Sequence, residues 1–145
     1  MPDNINYKEI LKREGIKNTK HRCSIIEILG KSDAPVTAED IFIRLHESSK
    51  SICLSTVYRT LETLISKGLV SKTIISSDNR AVYELNTAEH KHHLVCVGCK
   101  RMVSIDGCPF NEYEKEIQGK NGFDITGHKL EIYGFCPECR TDKET

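Results

Sequence analysis

Over the first 68 residues apolar positions recur every three or four residues, in four runs separated by short breaks. "INYKEILKREG" sets Tyr7, Ile10, Leu11 and Glu14 at helical spacing, and Gly15 marks a stop. "NTKHRCSIIEILGKS" starts behind Thr19, aligns Cys23, Ile26 and Leu29 on one face, and meets Gly30 as its expected end. "TAEDIFIRLHESS" follows Pro35, with Thr37 and Asp40 at the spacing of a capping box. In "LSTVYRTLETLISKGL", Ser55 is the expected N-cap, Val57, Leu61 and Leu64 form the buried face, and Gly68 closes the helix. The period then drops to two: "LVSKTII" and "RAVYEL", joined by the turn "SSDN", predict a hairpin. Short helices followed by a two-stranded wing predict a winged helix-turn-helix unit.

Beyond Leu85 the polar stretch "NTAEHKHH" leads into two strands, "HLVCV" and "RMVSI", around a turn containing Gly98. Pro109 opens a helix over "FNEYEKEIQGKNG", with Phe110, Tyr113, Glu114 and Ile117 at helical spacing. "FDIT" and "KLEIYGF" predict a last pair of strands turning around Gly127 and His128, and "RTDKET" predicts a frayed tail. The expected fold class is therefore α+β: a winged-helix domain over residues 1–85, then a small α/β domain over 86–145. The second has a thin core, so a metal would supply stability it otherwise lacks.

Composition adds little to this until charge and cysteine are divided along the chain. A hydrophobic fraction of 38% with 29% charged residues suits a globular protein of 145 residues. No apolar run approaches the ~20 residues of a membrane span, and the N-terminal stretch has no secretory signal character, so a cytoplasmic location and no membrane partner are expected. Residues 1–83 carry 13 Lys/Arg against 10 Asp/Glu, and residues 84–145 carry 8 against 11. A basic first part fits nucleic acid. The first turns of the fourth helix offer Ser55, Thr56, Tyr58, Arg59 and Thr60, all able to hydrogen-bond phosphates or base edges, and the wing adds Arg80 beside Asn79. The plain alternative is the wet side of an amphipathic helix.

In a reducing compartment, paired cysteines read as metal ligands or redox pairs. Cys96 and Cys99 form one C-x-x-C, and Cys136 and Cys139, in "CPEC", form another. Two thiolate pairs at tight turns are what a four-sulfur tetrahedral site requires, so structural zinc is expected, with an iron centre or dithiol redox chemistry as alternatives. Cys23, Cys53 and Cys108 lack partner spacing and read as small core residues, with a lowered pKa or a metal role as the alternative for Cys108, which precedes Pro109 at a helix start. In an extended stretch His90 and His92 share one face while Lys91 and His93 share the other. His128 and Glu112 are candidates to complete a second site with His90 and His92, and Glu84 to join His93. Imidazole and carboxylate donors suit Zn(II), Fe(II), Mn(II) or Ni(II). A small zinc hydrolase built on His90, His92 and His128 is the alternative from a different class. No H-E-x-x-H or nucleophile constellation accompanies it, and no enzyme is expected.

Together, "STVYRTL", the His-rich strand leading into "HLVCVGC", "GHKLEIYG" and "CPEC" resemble the ferric uptake regulator (Fur) family of metal- and peroxide-sensing repressors, over nearly the whole chain. The resemblance implies an N-terminal DNA-binding domain, a C-terminal dimerisation domain, and metal-dependent repression by a homodimer on a palindromic operator in double-stranded DNA. It assigns Cys96, Cys99, Cys136 and Cys139 to a structural zinc site. It assigns His90, His92 and His128 to a second site, whose carboxylate falls at or beside Asn111, with Glu112 as substitute. Glu84 and His93 match ligands of an inter-domain sensing site. Pro35 and Lys91 stand where that site has histidines, leaving it incomplete. The peroxide-sensing class has an Asp near Ser104, where this chain has Asp106. "CP" at Cys108 and Pro109 is similar to zinc uptake regulators, whereas Glu84 is similar to the iron type. The resemblance thus implies a structural zinc and a second regulatory divalent metal, zinc ahead of iron, controlling metal uptake genes.

Overall fold

The computed structural model describes residues 6–48, 51–86, 92–105 and 107–143. The chain forms two compact units, Met1–Asn86 and Thr87–Thr145. Both helices and sheets are present, so the fold class is α+β, as expected.

The first unit contains α1 (Tyr7–Arg13), α2 (Lys20–Lys31), α3 (Ala38–Glu47), α4 (Leu54–Ser66), β1 (Val70–Ile75) and β2 (Arg80–Leu85). Each of the first three helices opens on a polar side chain that takes a backbone N–H left without an intrahelical acceptor: Asn6 from Glu9, Thr19 from Arg22, Thr37 from Asp40. At α3 the Asp40 carboxylate also accepts the Thr37 N–H, completing the capping box. Leu11, Ile25, Ile26, Leu29, Ile41, Leu45, Val57, Leu61 and Leu64 meet in one core.

Two expectations about helix ends fail here. α4 begins one residue before Ser55, with Cys53 at the N-cap and no side-chain cap bond, and Cys53 is exposed rather than core. Gly30 lies inside α2 instead of ending it. A Cβ on Gly30 would overlap the Tyr7 hydroxyl, so the glycine serves the close approach of α1 to α2.

β1 and β2 pair antiparallel from Val70↔Leu85 to Ile75↔Arg80. Asn79 takes the left-handed conformation in the connecting turn (φ 58°), which an Asn tolerates. Val36 adds a bridge to Tyr83, each N–H donating to the other's carbonyl at 3.0 and 2.7 Å. That bridge ties the segment before α3 to the wing.

The second unit contains β3 (His92–Cys96), β4 (Met102–Ile105), α5 (Asn111–Asn121), β5 (Glu131–Gly134) and α6 (Pro137–Lys143). The sheet order is β4-β3-β5, antiparallel between β3 and β4 and parallel between β3 and β5. The predicted strand "FDIT" does not form; residues 122–130 carry no regular structure, and β5 pairs with β3 instead. Likewise residues 140–143 of the expected frayed tail are helical, as the end of α6 (Pro137–Lys143), with the Arg140 N–H donating to the Cys136 carbonyl; residues 144 and 145 lie outside the described residues. Proline at the first helical position is favourable because it has no N–H to leave unsatisfied. Among the described residues of this unit the buried hydrophobic ones are Val95, Cys96 and Met102, accompanied by buried His92 and His93.

Candidate metal centres and nucleic-acid interface

The first cysteine pair sits on a tight turn leaving β3. The Cys96 N–H donates to the Arg101 carbonyl, the Lys100 N–H returns to the Cys96 carbonyl, and Lys100 takes φ 70°. The second pair straddles the start of α6. The two meet: the Cys96, Cys99, Cys136 and Cys139 sulfurs lie within 4.8 Å of one another. Cys99 Sγ and Cys136 Sγ are 3.7 Å apart. A tetrahedral ion with ~2.3 Å metal–sulfur bonds places its sulfurs about 3.8 Å apart, so the group fits one ion of zinc size.

Backbone N–H groups of Cys136 and Cys99 point at Cys96 Sγ, at 3.3 and 3.4 Å, and hold its thiol down to about 6. The neighbouring thiols of Cys136 and Cys96 push Cys139 up to about 12, because a proton shared among crowded sulfurs resists removal. A divalent cation held by the four sulfurs would remove that conflict, since it would take thiolates outright.

Gly98 is part of the cradle. A Cβ there would stand 2.9 Å from Cys139 Sγ and 3.1 Å from its Cβ. A sulfur held on a metal cannot swing aside. Gly98→Ala is therefore expected to weaken zinc retention about 10-fold, the lower end of what supporting positions cost. Chelator competition read by released zinc measures this.

A second group of donors lies elsewhere in the same unit. His92 comes from β3, Cys108 from the segment between β4 and α5, and His128 from the segment before β5. Their donor atoms lie within 4.8 Å of one another, with His92 Nε2 3.0 Å and Cys108 Sγ 3.3 Å from His128 Nε2. Glu114 Oε1 bonds His128 Nδ1. The Phe110 ring stands 5.3 Å from the His128 ring and 6.5 Å from that of His92, an apolar wall that favours strong coordination.

The carboxylate that meets His128 is Glu114, two residues beyond the Glu112 that sequence reasoning offered for this site. Glu112 is exposed, whereas Glu114, Ile117 and Gln118 face inward, because residues two apart on a helix point about 200° apart. For Cys108, which has no cysteine at ligand spacing, sequence reasoning ranked a metal role behind a small core residue; the side chains that Cys108 meets are histidines distant in sequence. His90 and Lys91, like Asp106, lie outside the described residues. Glu84 is half-buried on β2 of the first unit and His93 buried on β3 of the second, so the two predicted sensing residues belong to different units.

On α4, Ser55, Tyr58 and Arg59 are exposed and Thr56 half-buried, as a contact surface requires. Thr60 is not part of that surface. It is buried, because it shares the stripe of Val57, Leu61 and Leu64. The Tyr58 hydroxyl donates to Glu39 at 2.7 Å, and that bond pushes its ionisation up to about 12. Arg80 is half-buried with Nε 3.6 Å from Asp78, a wing cation already engaged by a carboxylate.

Among the described residues no helix is long and apolar enough to cross a membrane. Residues 13–133 match the model of the Ferric uptake regulator family. The chain is 35% identical over 136 residues to the ferric uptake regulation protein of Escherichia coli K12, covering 92% of this chain and 91% of that one. It is 37% identical over 131 residues to the ferric uptake regulation protein of Legionella pneumophila, covering 90% and 96%. The crystal structure of the Vibrio cholerae ferric uptake regulator superposes with a TM-score of 0.80 at 31% identity, covering 90% of this chain and all of that one. The chain belongs to the ferric uptake regulator family, whose members are metal-binding transcription regulators and not enzymes.

Proposed function

We propose that this protein is a cytoplasmic transcriptional repressor that binds a palindromic operator as a homodimer when loaded with Zn(II), and controls metal uptake genes. The observation that carries this reading is the pairing, in one chain, of an exposed hydrogen-bonding face on α4 with a separate unit holding two groups of metal donors. The four-cysteine group holds a structural zinc. The group around His128 holds the exchangeable ion.

A dimer is supported by the outer face of the second sheet. Leu94 pairs with Val103 on one side and Ile132 on the other, forming one row across three strands, and all three are exposed. Phe123 and Phe135 are exposed as well. A row of apolar side chains left in water on three adjacent strands favours a matching surface, which a second copy supplies. Two-fold symmetry then places two α4 helices on successive major grooves of a symmetric site. Metal raises the fraction of dimers with that spacing, and metal and operator strengthen each other's binding equally.

The test is a two-part binding measurement. Random duplexes selected by the zinc-loaded protein should converge on a two-fold symmetric site. That duplex is then titrated with protein carrying Zn(II), Fe(II) or Mn(II) in parallel without oxygen. Zinc is expected to support binding at the lowest free concentration. Affinity that stays unchanged after the weaker ion is chelated, with the four-cysteine zinc retained, rejects metal-dependent control. An iron-responsive repressor is the second reading, favoured by the names of the relatives at 35–37% identity, and a response to Fe(II) alone selects it. In the same assay Arg59→Ala is expected to lower affinity about 10-fold with an unchanged fold, and to reduce the salt slope by about one if its contact is a phosphate.

A further inference from the structure

We infer that Cys108 supplies a thiolate to the exchangeable metal site, making it a two-histidine, one-cysteine centre with His92 and His128, and that Glu114 positions His128 for it. This rests on the reading of an exchangeable second ion given above. The donor separations carry it. Two imidazole nitrogens on one tetrahedral zinc stand about 3.3 Å apart, and a sulfur and a nitrogen about 3.6 Å, from bonds of ~2.0–2.1 and ~2.3 Å. The observed 3.0 and 3.3 Å each expand to these values by about 0.3 Å. Three donors from three separate segments converge on one point, and a small core cysteine would have no reason to meet two imidazoles there.

Glu114 decides which nitrogen of His128 is available. With Nδ1 bonded to the carboxylate, the proton is held on that side and the lone pair of Nε2 faces His92 and Cys108. This is the carboxylate–histidine–metal arrangement that orients a ligand and raises its basicity. Glu114 is thus a positioning residue, outside the coordination sphere.

The consequence is selectivity. A carboxylate in the third place would suit Mn(II) or Fe(II); a thiolate shifts preference toward Zn(II), Co(II) and Cu(I). The selective step is then built into one side chain between β4 and α5.

Cobalt spectroscopy tests this on the full-length protein with one zinc per chain retained in the four-cysteine site. Adding Co(II) is expected to give visible bands of tetrahedral cobalt together with a near-ultraviolet sulfur-to-cobalt band of one-thiolate intensity. Cys108→Ser should abolish the near-ultraviolet band and lower zinc affinity at this site at least about 100-fold, while leaving Mn(II) affinity within a few-fold. Glu114→Gln should retain the sulfur band with affinity about 10-fold lower. Cobalt bound without a sulfur band, or a sulfur band that survives Cys108→Ser, overturns the thiolate assignment and leaves the exchangeable ion standing. Failure of the zinc-loaded protein to take up any second ion overturns both.

Discussion

Cys136→Ser is expected to empty the four-cysteine site and unfold the second unit at room temperature, while the helices of the first unit persist. Structural zinc contributes on the order of 10 kcal/mol in small metal-folded domains. The second unit has little to set against that loss. Its buried hydrophobic residues, among those described, are Val95, Cys96 and Met102, and Cys96 is itself a donor. α5 has no buried residue. Removing one sulfur also leaves Cys96 Sγ, positioned by the N–H groups of Cys99 and Cys136, without the ion it would neutralise. Zinc content by mass spectrometry together with amide exchange resolved by segment reads the outcome. Retained zinc and protected β3 and β5 amides in Cys136→Ser would mean that the sheet, not the metal, holds this unit. The same logic predicts looser zinc as pH falls, because protons compete for the thiolates.

Leu61→Ala is expected to destabilise the first unit by about 3 kcal/mol, within the 2–5 kcal/mol range for buried leucine truncations. Leu61 is fully buried in α4, beside Val57 and Leu64, at the centre of the core built by α1 to α4. α4 packs against α2, α3 and β1, so closing the space would require several elements to move together. The shift is read from the urea midpoint of the first unit at unchanged slope, and a loss below about 1 kcal/mol would mean that the core collapses around the gap. The comparison with Arg59→Ala separates the two faces of one helix. Both changes weaken operator binding, but only Leu61→Ala does so in proportion to lost fold, and only Arg59→Ala keeps the urea midpoint.

Much of this was legible in the pattern of residues. Val57, Leu61 and Leu64 announce the buried face of α4 because burial follows the helical period, and the same rule should have moved Thr60 inward. Both C-x-x-C pairs are local signals, so their meeting required only that the chain bring two turns together. Longer-range arrangements left no such trace. β5 pairs parallel to β3 across the intervening β4 and α5, a connection that alternation along "KLEIYGF" does not specify. Cys108 meets His128 across 20 residues. Its role depends on where β4 ends and α5 begins. Glu114 over Glu112 was decided by helix phase, which shifts by a whole face when the start moves by two residues. The departures expected at Lys91 and Pro35 rest on residue identity alone, and Lys91 lies outside the described residues.

The distance along the chain between the two halves of the four-cysteine centre has a kinetic consequence. Cys99 and Cys136 are 37 residues apart, and closing a loop of that length costs about 3 kcal/mol of chain entropy before any constant. The β3–β4 hairpin, which needs only neighbouring residues, is by itself marginal in water. Until β5 and α6 exist to close the loop, half of a metal site waits on that hairpin. The first unit gathers its helices and wing into one apolar core and waits on no ion. The two halves of this chain therefore reach their native state by different clocks: one set by the collapse of an apolar core, the other by the arrival of an ion at a closure that β5 and α6 complete.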